Sequence, residues 1–253
     1  MADISKYATI ERGAEIADDV KIGPFTYIGP RVRIGSGCVI EGNVTITGRT
    51  ELGGRNRVSP LAVIGLSEGK GDEEGEVVIG QANAIREHAT VYGGPPGQPT
   101  RIGDDNLVMI SCHIGGGATV GDHGILINNT LIGAGAVLDD YVHTSGFILI
   151  APGVRVGAYT FTLGYTEIDR DAPPYAMVQG TPYRVRGVNS EKLRRCGFSD
   201  GSIKALKQAF HELYNGSGDH ANAEALERLL AQRDADLHVQ RLAQSVKSSE
   251  TRR

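Results

Sequence analysis

Acid–base chemistry at neutral pH points first to histidine, because imidazole titrates close to it. The chain has seven histidines among 253 residues. One of them, His113, opens the segment His113-Ile114-Gly115-Gly116-Gly117, in which no second acid or base follows it. His123, Tyr141 and Tyr159 recur at eighteen-residue intervals, and His143 stands apart from them. His88 and Cys112 have no supporting constellation and are read as structural. Asn189 and Arg195 lie far downstream. An arginine can grip a phosphate through two parallel N–H donors, or simply close a local salt bridge, and the sequence leaves both open for Arg195. Cys38, Cys112 and Cys196 are an odd, scattered set without metal-ligand spacing, as expected in a reducing cytoplasm.

These residues must be positioned by something, and the chain shows what. From Ile10 an aliphatic residue recurs every six positions, through Ile16, Ile22, Ile28, Ile34, Ile40, Ile46, Leu52 and Val58 to Ile64. The register resumes at Ile79, Ile85 and Val91, and again from Ile102 to Thr162, with only Thr144 and Thr162 not aliphatic. A period of six fits neither a helix of 3.6 residues per turn nor a strand of period two. It fits short strands joined by regular corners, stacked so that each coil satisfies its neighbour's backbone and buries an aliphatic column. The 35 glycines and the absence of tryptophan agree with many tight turns and a core of small β-branched side chains.

The register breaks at residues 66–78 and 93–101, read as loops extruded from the coil; the first is acidic and glycine-rich, a solvated loop or one that covers substrate. Gly93-Gly94-Pro95-Pro96-Gly97 matches no phosphate-binding glycine motif. His123, Tyr141 and Tyr159 fall at the same place in successive coils and should stack as an exposed ladder, a surface or subunit contact. Asn128-Asn129 reads as an internal corner ladder. The coil is expected over residues 1–185 and a helical domain over 186–246, with Ser199-Asp200 capping one helix and a second carrying Ala225 to Leu242. Residues 247–253 read as a disordered tail.

A net charge of −4 argues against non-specific nucleic-acid binding. No apolar run is long enough to span a membrane, and the N-terminus has no apolar signal-peptide core.

The repeat resembles that of the hexapeptide-repeat acyltransferases. Ile85-Arg86-Glu87, Gly103-Asp104-Asp105-Asn106-Leu107-Val108-Met109-Ile110, Cys112-His113-Ile114, Asp171-Ala172-Pro173-Pro174-Tyr175, Gln179-Gly180 and the run from Gly187-Val188-Asn189 to Cys196-Gly197-Phe198 narrow the resemblance. They are similar to the UDP-N-acetylglucosamine O-acyltransferases of lipid A biosynthesis, over about residues 8–230. That resemblance implies a left-handed parallel β-helix with a C-terminal α-helical domain, and a cytoplasmic homotrimer with sites between subunits. It also implies an acyl-carrier-protein thioester as donor, a nucleotide sugar as acceptor, and no cofactor.

In that family a histidine base takes the proton of the sugar 3-hydroxyl, from a His-Ile-x-His-Asp segment. Here the first histidine is His113, the base position is Gly116 and its acidic neighbour is Gly117. By the same resemblance a sugar-contacting histidine is replaced by Gly135, a His-Gln pair by Ala151-Pro152, and a histidine near the second loop by Tyr92. Asn189 and Arg195 keep positions on the nucleotide side, and the Ala134 backbone N–H can still serve an oxyanion. His113 is either a structural histidine at a coil corner or a substitute base. The expectation is an acyltransferase acting on a nucleotide-sugar-like or amine acceptor in place of the usual sugar 3-hydroxyl. The alternative is an inactive paralogue that binds nucleotide sugar, acyl chain or carrier protein.

Overall fold

The computed structural model describes residues 2–67, 75–214, 220–232 and 234–251, with side chains through Ser249. The six-residue period becomes a three-faced prism. Among the described residues, strands of two to five residues alternate between three sheets of eleven, nine and eight strands, and within the coil each strand pairs in parallel with its neighbours one coil away. We number the faces in the order the chain first meets them, at Asp3–Ile4, Thr9–Ile10 and Glu15–Ile16. The prism is a left-handed parallel β-helix followed by a short helical part.

The hexad-start residues stack in columns. On the second face Ile10, Ile28, Ile46, Ile64, Val91, Ile114, Ile132, Ile150 and Ile168 pair coil to coil. From Ile28 onward this column is fully buried. Each such side chain contributes about 1.5–3 kcal/mol over an exposed one. Thr144 and Thr162 also point inward. Thr144 is satisfied by Thr130 Oγ1 at 2.7 Å and by the Ile127 N–H at 3.0 Å. The Thr162 hydroxyl is buried with no hydrogen-bond partner among the described residues.

The internal amide ladder is built from Asn56, Asn83 and Asn106. Asn56 Oδ1 accepts from Asn83 N and Nδ2, and Asn83 Oδ1 accepts from Asn106 N and Nδ2, at 2.9–3.0 Å. Asn106 Oδ1 closes the ladder on the Gly124 N–H. Asn128-Asn129, expected in this role, does not take it. Asn129 turns the corner between the first and second faces with φ 59°, and Asn128 Oδ1 is buried without a partner among the described residues.

The aromatic ladder forms, at the corner between the third and first faces. His123 and Tyr141 stack at 4.6 Å, and Tyr141 and Tyr159 at 4.7 Å. It is not a bare surface. Tyr159 passes the stack to buried Tyr175, Phe198 packs its edge against Tyr159, and Phe198 and His238 lie 4.4 Å apart. Lys192 lies over the Tyr141 ring. Burial raises the Tyr159 phenol to about 12, so this ring stays uncharged. Its far end is the seat on which the helical part docks.

That part begins after the strand Arg184–Val188, which folds antiparallel onto Ala176–Gln179. The helices are α1 (Ser190–Arg195), α2 (Asp200–Leu213), α3 (Ala223–Ala231) and α4 (Leu237–Thr251). Ser199 caps α2 by accepting from the Ser202 N–H, as the sequence indicates, and Asn222 caps α3. Two expectations change. The apolar residues from Ala225 to Leu242 belong to two helices, with Gln232 ending α3. The tail expected to be disordered from Lys247 continues α4 to Thr251, because Val239, Leu242, Ala243 and Val246 bury one face of that helix. Asn215-Gly216, by residue type a helix-stopping pair, lies outside the described residues; α2 ends at Leu213 with Tyr214 as its C-cap. The loop excursions are shorter than expected, because strands Val63–Ser67, Glu76–Ile79, Thr90–Gly93 and Thr100–Ile102 reach into both breaks. Most of the first loop, residues 68–74, lies outside the described residues. No described helix is long and apolar enough to cross a membrane.

Candidate active site

The corner between the second and third faces collects the positions that the resemblance singles out. Residues 115–118, 133–136 and 151–154 turn it in successive coils. The Gly135 N–H donates to the Gly116 carbonyl at 3.0 Å, and the Gly153 N–H to the Ala134 carbonyl at 2.9 Å. Gly116, Gly117, Ala134, Gly135, Ala151 and Pro152 therefore form one column of backbone nearly bare of side chains. Both loops leave the coil from the same corner.

The second loop is fastened over the top of this column. Glu76 and Gly94 exchange N–H···O bonds of 2.9 and 3.0 Å, and Glu76 Oε2 also accepts from the Gly97 N–H at 3.0 Å. Arg49 holds the same carboxylate at 3.5 Å. Fully buried Thr100 donates to the Tyr92 carbonyl and accepts from the Gly117 N–H at 2.8 Å. The loop glycines allow close backbone approach. A Cβ on Gly94 would lie 1.9 Å from the Gln98 carbonyl oxygen and 2.8 Å from Gly117 N. A Cβ on Gly116 would lie 2.8 Å from the Gly93 carbonyl oxygen and 3.5 Å from its carbon. The oxygen is the nearer atom, so this carbonyl points into the space where a side chain at position 116 would begin.

His113 is not at a corner. It precedes inward-facing Ile114 by one residue, and strand alternation turns it outward on the flat of the second face. Its Nδ1 lies 2.8 Å from Thr90 Oγ1, and the Tyr92 ring meets it edge-on at 5.1 Å. His143 is likewise on a flat, outward on the first face against Phe161. Burial, and secondarily the Lys192 charge, lower its pKa. Cys112 is buried, and burial raises its thiol pKa, in keeping with a structural role. No intrachain hydrogen bond among the described residues takes up the Ala134 N–H.

Asn189 and Arg195 are not brought to this corner. Asn189 is nearly buried, donating from Nδ2 to the Tyr159 carbonyl at 2.9 Å at the corner between the third and first faces. Arg195 is three-quarters exposed and pairs with Glu191 one helical turn away. Among the described residues no group of three or more His, Cys, Asp or Glu side chains can hold a metal ion. Thr90, Glu76 and the Gly93 carbonyl escape a sequence reading. The only trace is that Gly93-Gly94 and Gly116-Gly117, two glycine pairs, fall in adjacent coils.

Residues 171–253 match the family described as Udp N-acetylglucosamine O-acyltransferase, Domain 2, and residues 4–48 match Bacterial transferase hexapeptide (six repeats). An acyl-[acyl-carrier-protein]–UDP-N-acetylglucosamine O-acyltransferase of Akkermansia muciniphila is 53% identical over 218 residues, 85% of this chain and 84% of its own length. One from Cupriavidus metallidurans is 52% identical over 250 residues, 94% of this chain and 93% of its own. The chain belongs to the UDP-N-acetylglucosamine O-acyltransferase family. Solved structures agree with the assignment. The UDP-N-acetylglucosamine acyltransferase of Francisella novicida superposes with a TM-score of 0.91 at 30% identity, covering 97% of this chain and 91% of that one. That of Acinetobacter baumannii gives 0.90 at 31% identity, covering 97% of each. Family membership thus spans the coil and the helices together.

Proposed function

We propose that this chain transfers an acyl chain from acyl carrier protein to an amine-bearing, nucleotide-sugar-like acceptor. The donor and the sugar class follow from the relatives, which are named acyl-[acyl-carrier-protein]–UDP-N-acetylglucosamine O-acyltransferases. The observation that carries the choice of acceptor is the Gly93 carbonyl beside Gly116. A hydroxyl is a poor nucleophile until a base removes its proton. Glycine accepts none, and neither does a peptide carbonyl. A neutral amine attacks a thioester without that help, so positioning supplies much of the acceleration. The Ala134 N–H donates to the oxyanion that forms on the thioester carbon. His113, steadied by Thr90, is a hydrogen-bonding group at the edge of the acceptor site. Asn189 and Arg195 hold the nucleotide side, and the carrier-bound thioester is the sole co-reactant, in the cytoplasm.

Because Asn189 and Arg195 sit at a different corner from Gly116, the complete site needs more than one copy. A homotrimer places the two corners across each subunit boundary. Sedimentation at micromolar concentration is expected to give a three-chain mass, and a monomer would end this part of the proposal.

The activity test compares UDP-N-acetylglucosamine with its 3-amino analogue, using hydroxyacyl carrier protein as donor. Amide product with the amine and only background ester with the hydroxyl is the expected result. Ester formation at an ordinary family rate would refute the reading. No product from either acceptor, together with nucleotide-sugar binding that Arg195→Ala abolishes, would identify a binding protein in place of an enzyme.

A further inference from the structure

We infer that the Lys192 ammonium, together with the His143 imidazole, receives a phosphate group of one of the two substrates. The inference rests on the acyl-transfer reading above and adds a contact to it. Under that reading phosphate comes from two sources, the diphosphate of the nucleotide sugar and the phosphodiester of the carrier's pantetheine arm.

Helix α1 presents three cations, and two of them are already matched. Arg194 faces Asp200 at 3.4 Å, and Arg195 pairs with Glu191. An anion approaching either guanidinium therefore meets a carboxylate as well. Lys192 differs. No carboxylate among the described residues forms an ion pair with it, and its Nζ stands 5.4 Å from the centre of the Tyr141 ring, two residues before His143. It is half-buried, and the helix that carries it is fixed. Asn189, the N-cap of α1, donates from its backbone N–H to the Tyr175 carbonyl at 2.8 Å and from Nδ2 to the Tyr159 carbonyl at 2.9 Å. Leu193, next to Lys192, is fully buried. The charge is thus in place before a ligand arrives, which lowers the ordering cost of binding.

His143 supplies the second group. It is the one polar side chain in an outward column of the first face that otherwise runs Leu107, Ile125, Phe161, Met177. The ring is half-buried against Phe161, and neither of its nitrogens has a hydrogen-bond partner among the described residues. Burial, and after it the Lys192 charge, lower its pKa, and Lys192 is the only charge among the described residues that acts on it. At pH 7 the imidazole is therefore neutral and carries one N–H donor. Two donors side by side, neither consumed by the protein, suit an oxyanion. A phosphate accepts from both, and lysine holds it as a point charge. A phosphate bound here also reverses the field on the ring. Its negative charge favours imidazolium, so binding raises the His143 pKa, and by linkage affinity grows as pH falls through that pKa.

The test is a binding experiment on the full chain in its assembled state, and it needs no turnover. UDP-N-acetylglucosamine, uridine and acyl-phosphopantetheine are titrated into wild type, Lys192→Met and Lys192→Arg, with the His143 ring followed by NMR. Lys192→Met keeps the stem over Tyr141 and removes the charge. It is expected to weaken UDP-N-acetylglucosamine roughly 10- to 100-fold while leaving uridine within about twofold, the scale of a lost charge-assisted hydrogen bond. Lys192→Arg, which keeps the charge, should recover most of that loss. The sugar nucleotide should raise the His143 pKa in wild type, and in ligand-free Lys192→Met that pKa should already stand higher. Loss confined to acyl-phosphopantetheine would uphold the site and assign its phosphate to the donor. Equal weakening of uridine would mark the effect as structural and overturn the inference. Wild-type affinity of Lys192→Met for both phosphates would overturn it too, as would a His143 pKa that neither ligand moves. Absence of amide product with this binding intact would refute the amine reading alone.

Discussion

Gly116→His is expected to leave transfer to the sugar 3-hydroxyl at background and to lower the melting temperature. Loss of a general base costs on the order of 10²–10⁴-fold, and restoring the imidazole would recover that only if it could occupy the site. The Gly93 carbonyl oxygen lies 2.8 Å from the required Cβ, and the Gly94 Cα 3.7 Å from it. The oxygen belongs to a backbone segment pinned by Glu76 and Thr100, not to a side chain that can swing away. Position 117 is a lesser obstacle. A Cβ there meets only the Gln98 oxygen at 3.7 Å and Pro95 at 4.0 Å, and its φ of +73° is one that aspartate tolerates better than most residues. The double variant Gly116→His, Gly117→Asp should therefore fail as well, for the steric reason at 116 and not for lack of the orienting acid. Ester formation assays on both variants, beside a melting curve, check this. Recovery to within tenfold of an ordinary family member would show that the loop yields and that the bare corner is a simple deletion.

The contrast between what the sequence revealed and what it hid follows from how each feature is encoded. Columns such as Ile28, Ile46 and Ile64 are legible because one inward residue per strand repeats at a fixed interval, and only apolar types are tolerated there. The stack of His123, Tyr141 and Tyr159 is legible for the same reason. The Asn56–Asn83–Asn106 ladder was not, because the two loops stretch its steps to 27 and 23 residues and hide the period. Asn128-Asn129 imitates such a ladder in sequence, yet those residues serve a corner turn. At the site, the glycines at 116 and 117 are plain in the sequence, and only the family resemblance makes the first of them a base position. The Gly93 carbonyl beside it could not be read, since a carbonyl has no residue code. Contact between Gly93 and Gly116 is a statement about absent side chains, and glycine does not say what approaches it.

The same reasoning predicts where the frame itself is fragile. Ile114→Asp is expected to destabilise the fold by more than about 4 kcal/mol, among the severe outcomes for a single substitution. Ile114 is completely buried on the second face, between Val91 one coil below and Ile132 one coil above. The neighbours that would face the new carboxylate are aliphatic, and a coil interior this narrow offers it no route to solvent. An unpaired carboxylate there must either remain charged at great cost or take up a proton. Its pKa in the folded state is raised above the unfolded value, so the unfolded chain binds fewer protons than the folded one around neutral pH. The penalty is then largest above the raised pKa and shrinks as pH falls through it. Ile114→Val, which only removes a methylene, sets the scale at about 0.5–1.5 kcal/mol. Urea midpoints at pH 5 and pH 8 should separate the two variants widely, with the Asp variant nearer to wild type at the lower pH. A near-wild-type midpoint for Ile114→Asp at pH 8 would mean that position 114 does not face the core. His113, one residue earlier, would then not face outward, and the placement of the whole site beside the bare corner would fall with it.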